Sequence, residues 1–199
     1  MSPSVAIRSA PERSFVRVNR LPGTATAARQ AASRAARSGE ILFIRRGLYY
    51  RGVKTRYGMT RPRVDEIAWE VLGETGSGPA GYSAAREWGV TTQIPVSFHV
   101  ATFWPTDPIA GMAQRSRRNK ERATLNPKEI ALLELLRASD VYVEAGWGAL
   151  VERVRDALAQ SDVREAALRN AVAGERNVTA RESFDNLVID LALWADPVF

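Results

Sequence analysis

The side chains in this sequence with the most chemistry to offer are guanidiniums on regular spacings. Arg29, Arg34 and Arg37 recur within TATAARQAASRAAR, and Arg45 and Arg46 stand together ahead of the aromatic stretch GLYY. A guanidinium stays charged at any physiological pH and presents a planar fork of N–H donors, which suits phosphate oxygens and the O6/N7 edge of guanine. Gln30 and Ser33, set between those arginines, are of the types that hydrogen-bond base edges and phosphates. Other reactive groups are scarce. With no cysteine, the chain holds neither a disulfide nor a thiolate nucleophile. His99 is the single histidine, which excludes a multi-histidine metal site. No serine and acid pattern accompanies it, and it reads as an outward-facing strand residue. GETGSGPAG has no Lys-Ser/Thr after it and no convincing strand before it, so it is a poor phosphate loop. Asp185 and Asp190 lack accompanying ligands. No catalytic residue, metal or cofactor is expected.

The arginines need a scaffold, and the surrounding pattern supplies one. SFVRV alternates as a short strand, and NRLPG reads as a stub of helix or turn closed by Pro22-Gly23. Thr24 or Thr26 then caps a helix of strong helix formers that ends at Ser38-Gly39. At about 100° per residue, Ala28, Ala31, Ala32 and Ala35 gather on one arc. Thr26, Arg29, Gln30, Ser33, Arg34 and Arg37 gather on the other. A solvated helix face is the bland alternative, but such faces usually pair acids with bases at i,i+4, and no acid lies between Thr24 and Ser38.

EILFIRRGLYYRG follows as two strands, Glu40 to Arg45 and Leu48 to Arg51, turned at Arg46-Gly47. Helix and then basic hairpin is the order of a winged helix-turn-helix. Ile41, Phe43 and one tyrosine are expected to close its core, with Arg45, Arg46, Arg51 and Lys54 directed to the DNA backbone or minor groove. A first helix would have to come from SPSVAIRSAPER, a poor helix former because of Pro3 and Pro11.

Charge divides the chain in the same way. Residues 1–63 carry 14 Lys or Arg against Glu12 and Glu40, a net +12; residues 64–128 are neutral; residues 129–199 carry seven bases against 13 acids, a net −6. These sum to the overall +6. One end suits a polyanion and the other does not, as in a nucleic-acid reader joined to a different module, although basic arms are often merely solvated. The chain has no run of about 18 apolar residues and no signal-peptide core, so a cytoplasmic location without membrane contact is expected.

We divide the sequence into a winged helix-turn-helix over 1–58 and a mixed α/β domain over 59–199 that is helical from about 126, an α+β protein overall. Pro62 opens a helix with Ile67, Ala68, Val71 and Leu72 on one face, and GETGSGPAG reads as a flexible glycine loop. GYSAAREWGV reads as a short helix, and TQIPVSFHVATFW contains a strand with Val96, Phe98 and Val100 alternating against Ser97, His99 and Ala101. QRSRRNKER, residues 114–122, is a second basic cluster that either extends a nucleic-acid footprint or forms a mobile solvated loop. Asn126-Pro127 starts a helix, and three more follow, their acids expected at solvent-facing positions. The apolar C-terminal stretch is expected to dock on this helical layer.

LPGTATAARQAASRAARSGEILFIRRGLYYRG, the following KTRYG, GYSAAREWGVTTQIP and LNPKEIALLELLRASDVYVEAGW, in this order, resemble the AbiEi family, the antitoxin and repressor half of type IV toxin–antitoxin systems. The likeness runs from about residue 13 to about residue 155. It implies a winged helix followed by an antitoxin domain, repression of the protein's own operon through upstream repeats, and neutralisation of a nucleotidyltransferase toxin without a stable complex. Binding as a homodimer or cooperatively on DNA is compatible with it. Tyr82, Ser83, Thr91, Thr92 and Gln93 lie in the matching motif, and with Arg115, Arg117, Arg118 and Lys120 they form a candidate antitoxin surface. Trp88, like Tyr82, suits the core equally well. An RNA-binding module working through residues 114–122 is the alternative, and a nucleic-acid-processing enzyme a more distant one.

Overall fold

The structure, a computed structural model, describes residues 1–195 and is an α+β protein. It divides into two compact units, Met1–Glu70 and the chain from Val71 onward. The first therefore extends past residue 58, taking in a second hairpin and most of a third helix.

In the first unit, helix α1 (Pro3–Ser9) forms despite its prolines. Pro3 sits in the first turn, where its missing N–H is not needed, Ser2 accepts from the Val5 N–H, and Pro11 falls beyond the C-terminal end. Strand β1 (Ser14–Arg17), a 3-10 turn (Val18–Arg20) and helix α2 (Ala25–Arg37) follow, then β2 (Leu42–Arg45) and β3 (Leu48–Arg51). The sheet order is β1-β3-β2, antiparallel throughout. Thr24 caps α2, its hydroxyl accepting from the Ala27 N–H at 3.2 Å.

The alanine arc of α2 is buried, Ala31, Ala32 and Ala35 packing with Ile7, Val16 and Ile41. Such short side chains let α1 and the sheet approach closely. Tyr49, paired across the sheet with Val16, joins this cluster, whereas Tyr50 is buried on the opposite side of the strand against the edge of Phe15, 5.1 Å between ring centres. Phe43 does not close the core as expected; it is 62% exposed. It lies on edge strand β2 and rests edge-on against Tyr49, which already covers the alanines from the central strand. Strands β4 (Lys54–Thr55) and β5 (Gly58–Met59) form the second hairpin, ahead of α3 (Val64–Leu72).

The second unit is built around α5 (Pro127–Leu136), whose residues Glu129 to Leu136 are all buried. Asn126 and Glu129 close a capping box at its start. Against it lie β6 (Ser77–Pro79), α4 (Gly81–Glu87) and β7 (Phe98–Thr102); β8 (Met112–Ser116) extends the sheet beyond β7, in order β6-β7-β8 with β7 and β8 parallel. Part of the glycine stretch expected to be a flexible loop, Ser77–Pro79, is edge strand β6, buried at each of its three residues, while residues 73–75 are exposed and lie outside any strand. Gly78 explains it: a Cβ there would lie 2.5 Å from the Pro127 carbonyl oxygen and 2.6 Å from Ile130 Cβ, so only glycine lets α5 sit this close.

The alternation expected for β7 also fails, since Val100, Ala101 and Thr102 are all buried and Val96 lies exposed outside the strand. β7 is the central strand and loses both faces to packing. Helices α6 (Ser139–Tyr142), α7 (Trp147–Ala159), α8 (Glu165–Ala173) and α9 (Val178–Ala195) complete the unit. Phe184 and Leu187 of α9 are buried in the core, with Val188 and Leu191 packed on it. The last four residues of the apolar C-terminal stretch lie outside the described residues.

Candidate nucleic-acid interface

Every polar residue assigned to the α2 face is exposed: Thr26, Arg29, Gln30, Ser33, Arg34 and Arg37. One helix thus turns its alanines inward and three guanidiniums outward, with no acid among them. Arg29 also donates to the Ala25 carbonyl of its own helix at 3.0 Å. The β2–β3 turn places Arg46 in solvent beside Gly47, whose φ of +80° accounts for the glycine. Arg45 is half-buried, and Lys54 is exposed at the start of β4.

Arg51 has a different task. Its guanidinium donates to the carbonyls of Ile7 (3.3 Å), Ala10 (2.6 Å) and Arg8, closing the C-terminal end of α1, so it supports the scaffold rather than facing solvent with the rest. Arg17 is similarly bound to Glu70 of α3, Nε to Oε1 at 2.5 Å. Neither role can be read from spacing, because both join residues more than 40 positions apart.

The residues of the candidate antitoxin surface do not share one exposed patch. Tyr82 is half-buried edge-on against Tyr142, 5.0 Å between ring centres. Ser83 is buried, its hydroxyl accepting from the His99 N–H at 2.9 Å and joining α4 to β7. Trp88 is buried and donates from Nε1 to the Lys128 carbonyl at 3.2 Å. Thr92 and Gln93 are exposed and Thr91 half-buried, on a loop held to Glu144, which accepts from the Thr92 N–H at 3.0 Å. That N–H, with the neighbouring Thr91 and Gln93 side chains, holds the Glu144 carboxyl below the usual range.

His99 does not face outward. Its Nδ1 is buried without a hydrogen-bond partner, and a Cβ built on Gly81 would lie 3.1 Å from it. Burial, and then the charge of Arg115, lower its pKa, which favours the neutral ring.

The basic run 114–122 is not a uniform patch. It runs from the end of β8 through a short connection, 117–119, into a 3-10 turn (Lys120–Thr124), and its cations divide by direction. Arg115, Arg118 and Lys120 are exposed. Arg117 and Arg122 turn inward onto carboxylates that were expected at solvent-facing positions. Glu134 accepts from Arg117 Nε (2.8 Å) and Nη2 (2.5 Å) and from Arg122 Nη1 (2.7 Å). Glu175 accepts from Arg122 Nε (2.5 Å), Asn119 Nδ2 (2.9 Å) and Arg137 Nη1 (2.8 Å). Arg122 is fully buried.

Burial alone would push both glutamates up. Hydrogen bonds and charge outweigh it, chiefly from Arg117 and Arg122 at Glu134 and from Arg122 at Glu175, so both carboxyls lie below the ordinary range. The signal in sequence was a lone glutamate among leucines, ALLELL, a position that must be either exposed or paired. Among the described residues no three His, Asp or Glu side chains are grouped to hold a metal ion, and no helix is long and apolar enough to cross a membrane.

The chain matches no family model and no curated protein sequence. Among solved structures it is similar to the RV2827C protein from Mycobacterium tuberculosis, at 16% identity and a TM-score of 0.53, over 94% of this chain and 74% of that one. At that identity the likeness speaks for the α+β fold.

Proposed function

We propose that this protein is a DNA-binding transcriptional autorepressor and the antitoxin of a type IV toxin–antitoxin system, acting in the cytoplasm against a nucleotidyltransferase toxin. The observation that carries the reading is α2, which buries an all-alanine face and exposes Arg29, Gln30, Ser33, Arg34 and Arg37 with no compensating acid. We read α1, α2 and the β2–β3 hairpin as a winged helix-turn-helix, with α2 as recognition helix and Arg46 at the wing tip. Phosphate contacts from such groups set register, and guanidinium or amide contacts to base edges set sequence. The antitoxin half rests on the resemblance of the second unit to AbiEi proteins. It needs no stable complex with the toxin and no chemistry by this chain.

An RNA-binding reading through residues 114–122 keeps Arg115, Arg118 and Lys120 as exposed contacts but loses Arg117 and Arg122 to the buried carboxylates. The deciding experiment is fluorescence anisotropy of the full chain on its own upstream duplex and on a scrambled duplex, each across a salt series. Binding to the upstream site about a thousandfold tighter, with a steep salt slope, supports the repressor. Arg34→Ala and Arg37→Ala should each weaken it by about 1–3 kcal/mol if they contact bases, without changing the melting temperature. Equal affinity in both variants would remove α2 as the recognition element.

A further inference from the structure

Apart from Lys54, the β4–β5 hairpin supplies no residue to the DNA contacts proposed above, yet it is built as a projecting cationic finger. From Gly52 to Val64 the chain carries Lys54, Arg56, Arg61 and Arg63 and no acid. Residues 54–58 are exposed without interruption, and Tyr57 at the tip is 84% exposed. An aromatic ring that open to water lowers its free energy by finding a flat or apolar partner. The Arg56 guanidinium lies over it, 4.6 Å from the ring centre. Arg63, also exposed, is paired with Asp65 at 2.5 Å, so its charge is partly met, and Lys54, Arg56 and Arg61 are the other exposed cations of the segment.

The finger is held stiffly at its base. The Val53 N–H donates to Thr60 Oγ1 at 2.9 Å, and the Thr60 N–H donates back to the Val53 carbonyl at 3.0 Å. A Cβ on Gly52 would fall 2.0 Å from the Thr60 carbonyl oxygen, so the two chains meet closer than any other residue allows. At the tip the Thr55 hydroxyl donates to the Gly58 carbonyl at 2.7 Å and accepts from the Tyr57 N–H at 3.2 Å. Stiffness matters because ordering a floppy basic loop on a ligand would cost conformational entropy at each residue.

The finger leaves the end of β3 opposite the wing: Gly47 precedes the strand and Lys54 follows it. Nine residues of chain separate Gly47 from Arg56, a reach of at most about 30 Å. That is within about one turn of B-form duplex, roughly 34 Å.

We infer that the β4–β5 hairpin is a second duplex-DNA contact, in which Arg56 and Arg61 engage phosphates flanking the site held by α2 and the Tyr57 ring lies against the sugar edge of the groove. The inference rests on the repressor reading for its ligand and adds residues that reading does not use. Both arginines and the tyrosine are surface groups, so their removal leaves the fold intact, which an unchanged melting temperature verifies.

The test is the same anisotropy salt series on the full chain, with hydroxyl-radical footprinting of the upstream duplex. Arg56→Ala with Arg61→Ala should lower the slope of log K against log salt by about 1.8, at about 0.9 per phosphate, on upstream and scrambled duplex alike. It should also erase protection at one flank while the centre stays protected. Tyr57→Ala should weaken binding at unchanged slope, and Tyr57→Phe should restore it. An unchanged slope and footprint in the double variant overturns the hairpin contact, even where Arg34→Ala abolishes preference for the upstream site and so upholds α2. If the wild-type chain shows no such preference, the repressor reading fails. The hairpin is then judged on the scrambled duplex, where a slope lower by about 1.8 keeps it as a polyanion contact and an unchanged slope removes it.

Discussion

Replacing Glu134 with glutamine tests the buried charge cluster of the second unit at its most connected point. Glu134 has a side chain only 3% exposed and receives three hydrogen bonds from Arg117 and Arg122. Glutamine keeps the shape but loses the charge, and its NH2 group cannot accept from a guanidinium. Arg117, Arg122 and Arg137 would then face Glu175 alone, an excess of two positive charges. Removing one partner from a buried ion pair typically costs about 3–5 kcal/mol, because the other charge is left desolvated and unpaired. With a urea m-value of about 1–3 kcal/mol/M, the midpoint should fall by about 2 M.

Tryptophan fluorescence is the suitable probe, since four of the five tryptophans lie beyond Val71. A companion variant combines Arg122→Met with Glu134→Leu. It should lose much less than either single change, because Glu175 keeps Arg137 and Asn119, and Arg117, 20% exposed at the side chain, can turn to water. The acid limb follows from the same groups. The folded-state pKa values of Glu134 and Glu175 are depressed, so their contribution is present above the unfolded value of about 4.3 and is lost as pH falls through the lower folded values. Glu134→Gln should flatten that limb. A Glu134→Gln midpoint within about 0.3 M of wild type, together with an unchanged acid limb, would refute the role given to the cluster.

Two further changes probe packing. Gly78→Ala places a Cβ against the Pro127 carbonyl and Ile130, and should destabilise by about 1–3 kcal/mol in a urea titration; a neutral result would mean α5 can move away from β6 at no cost. His99 titrates below its ordinary value, so stability should decline as pH drops from about 6.5 through that lower value, and His99→Gln should remove the decline in thermal melts between pH 7.5 and 5.

The first unit was largely legible in sequence because its determinants are local. The threonine cap, the alanine arc, the Ser38-Gly39 stop and the Arg46-Gly47 turn each act within a few residues; the last three lie where their spacing puts them, and of the two candidate caps it is Thr24 that serves. The exposed polar face of α2 follows from helix period alone. The short first helix is hard to read from composition because Pro3 is a helix breaker everywhere except in the first turn, which is where it sits.

Only the tertiary structure could decide the partners of long-range groups. Arg51 and Arg117 look like Arg34 or Arg118 in one dimension. The first closes α1 across more than 40 residues, and the second is paired with Glu134 inside the second unit. Gly78 reads as loop composition until α5 is laid against it. Phe43 and Tyr49 compete for one small core, and the central strand wins because it is covered from both sides. Helix period, caps and turns are set by covalent neighbours within about four residues. Which charge is buried, which glycine is crowded and which aromatic is left in water depend on segments brought together only by folding, and these decide which arginines remain to meet a ligand.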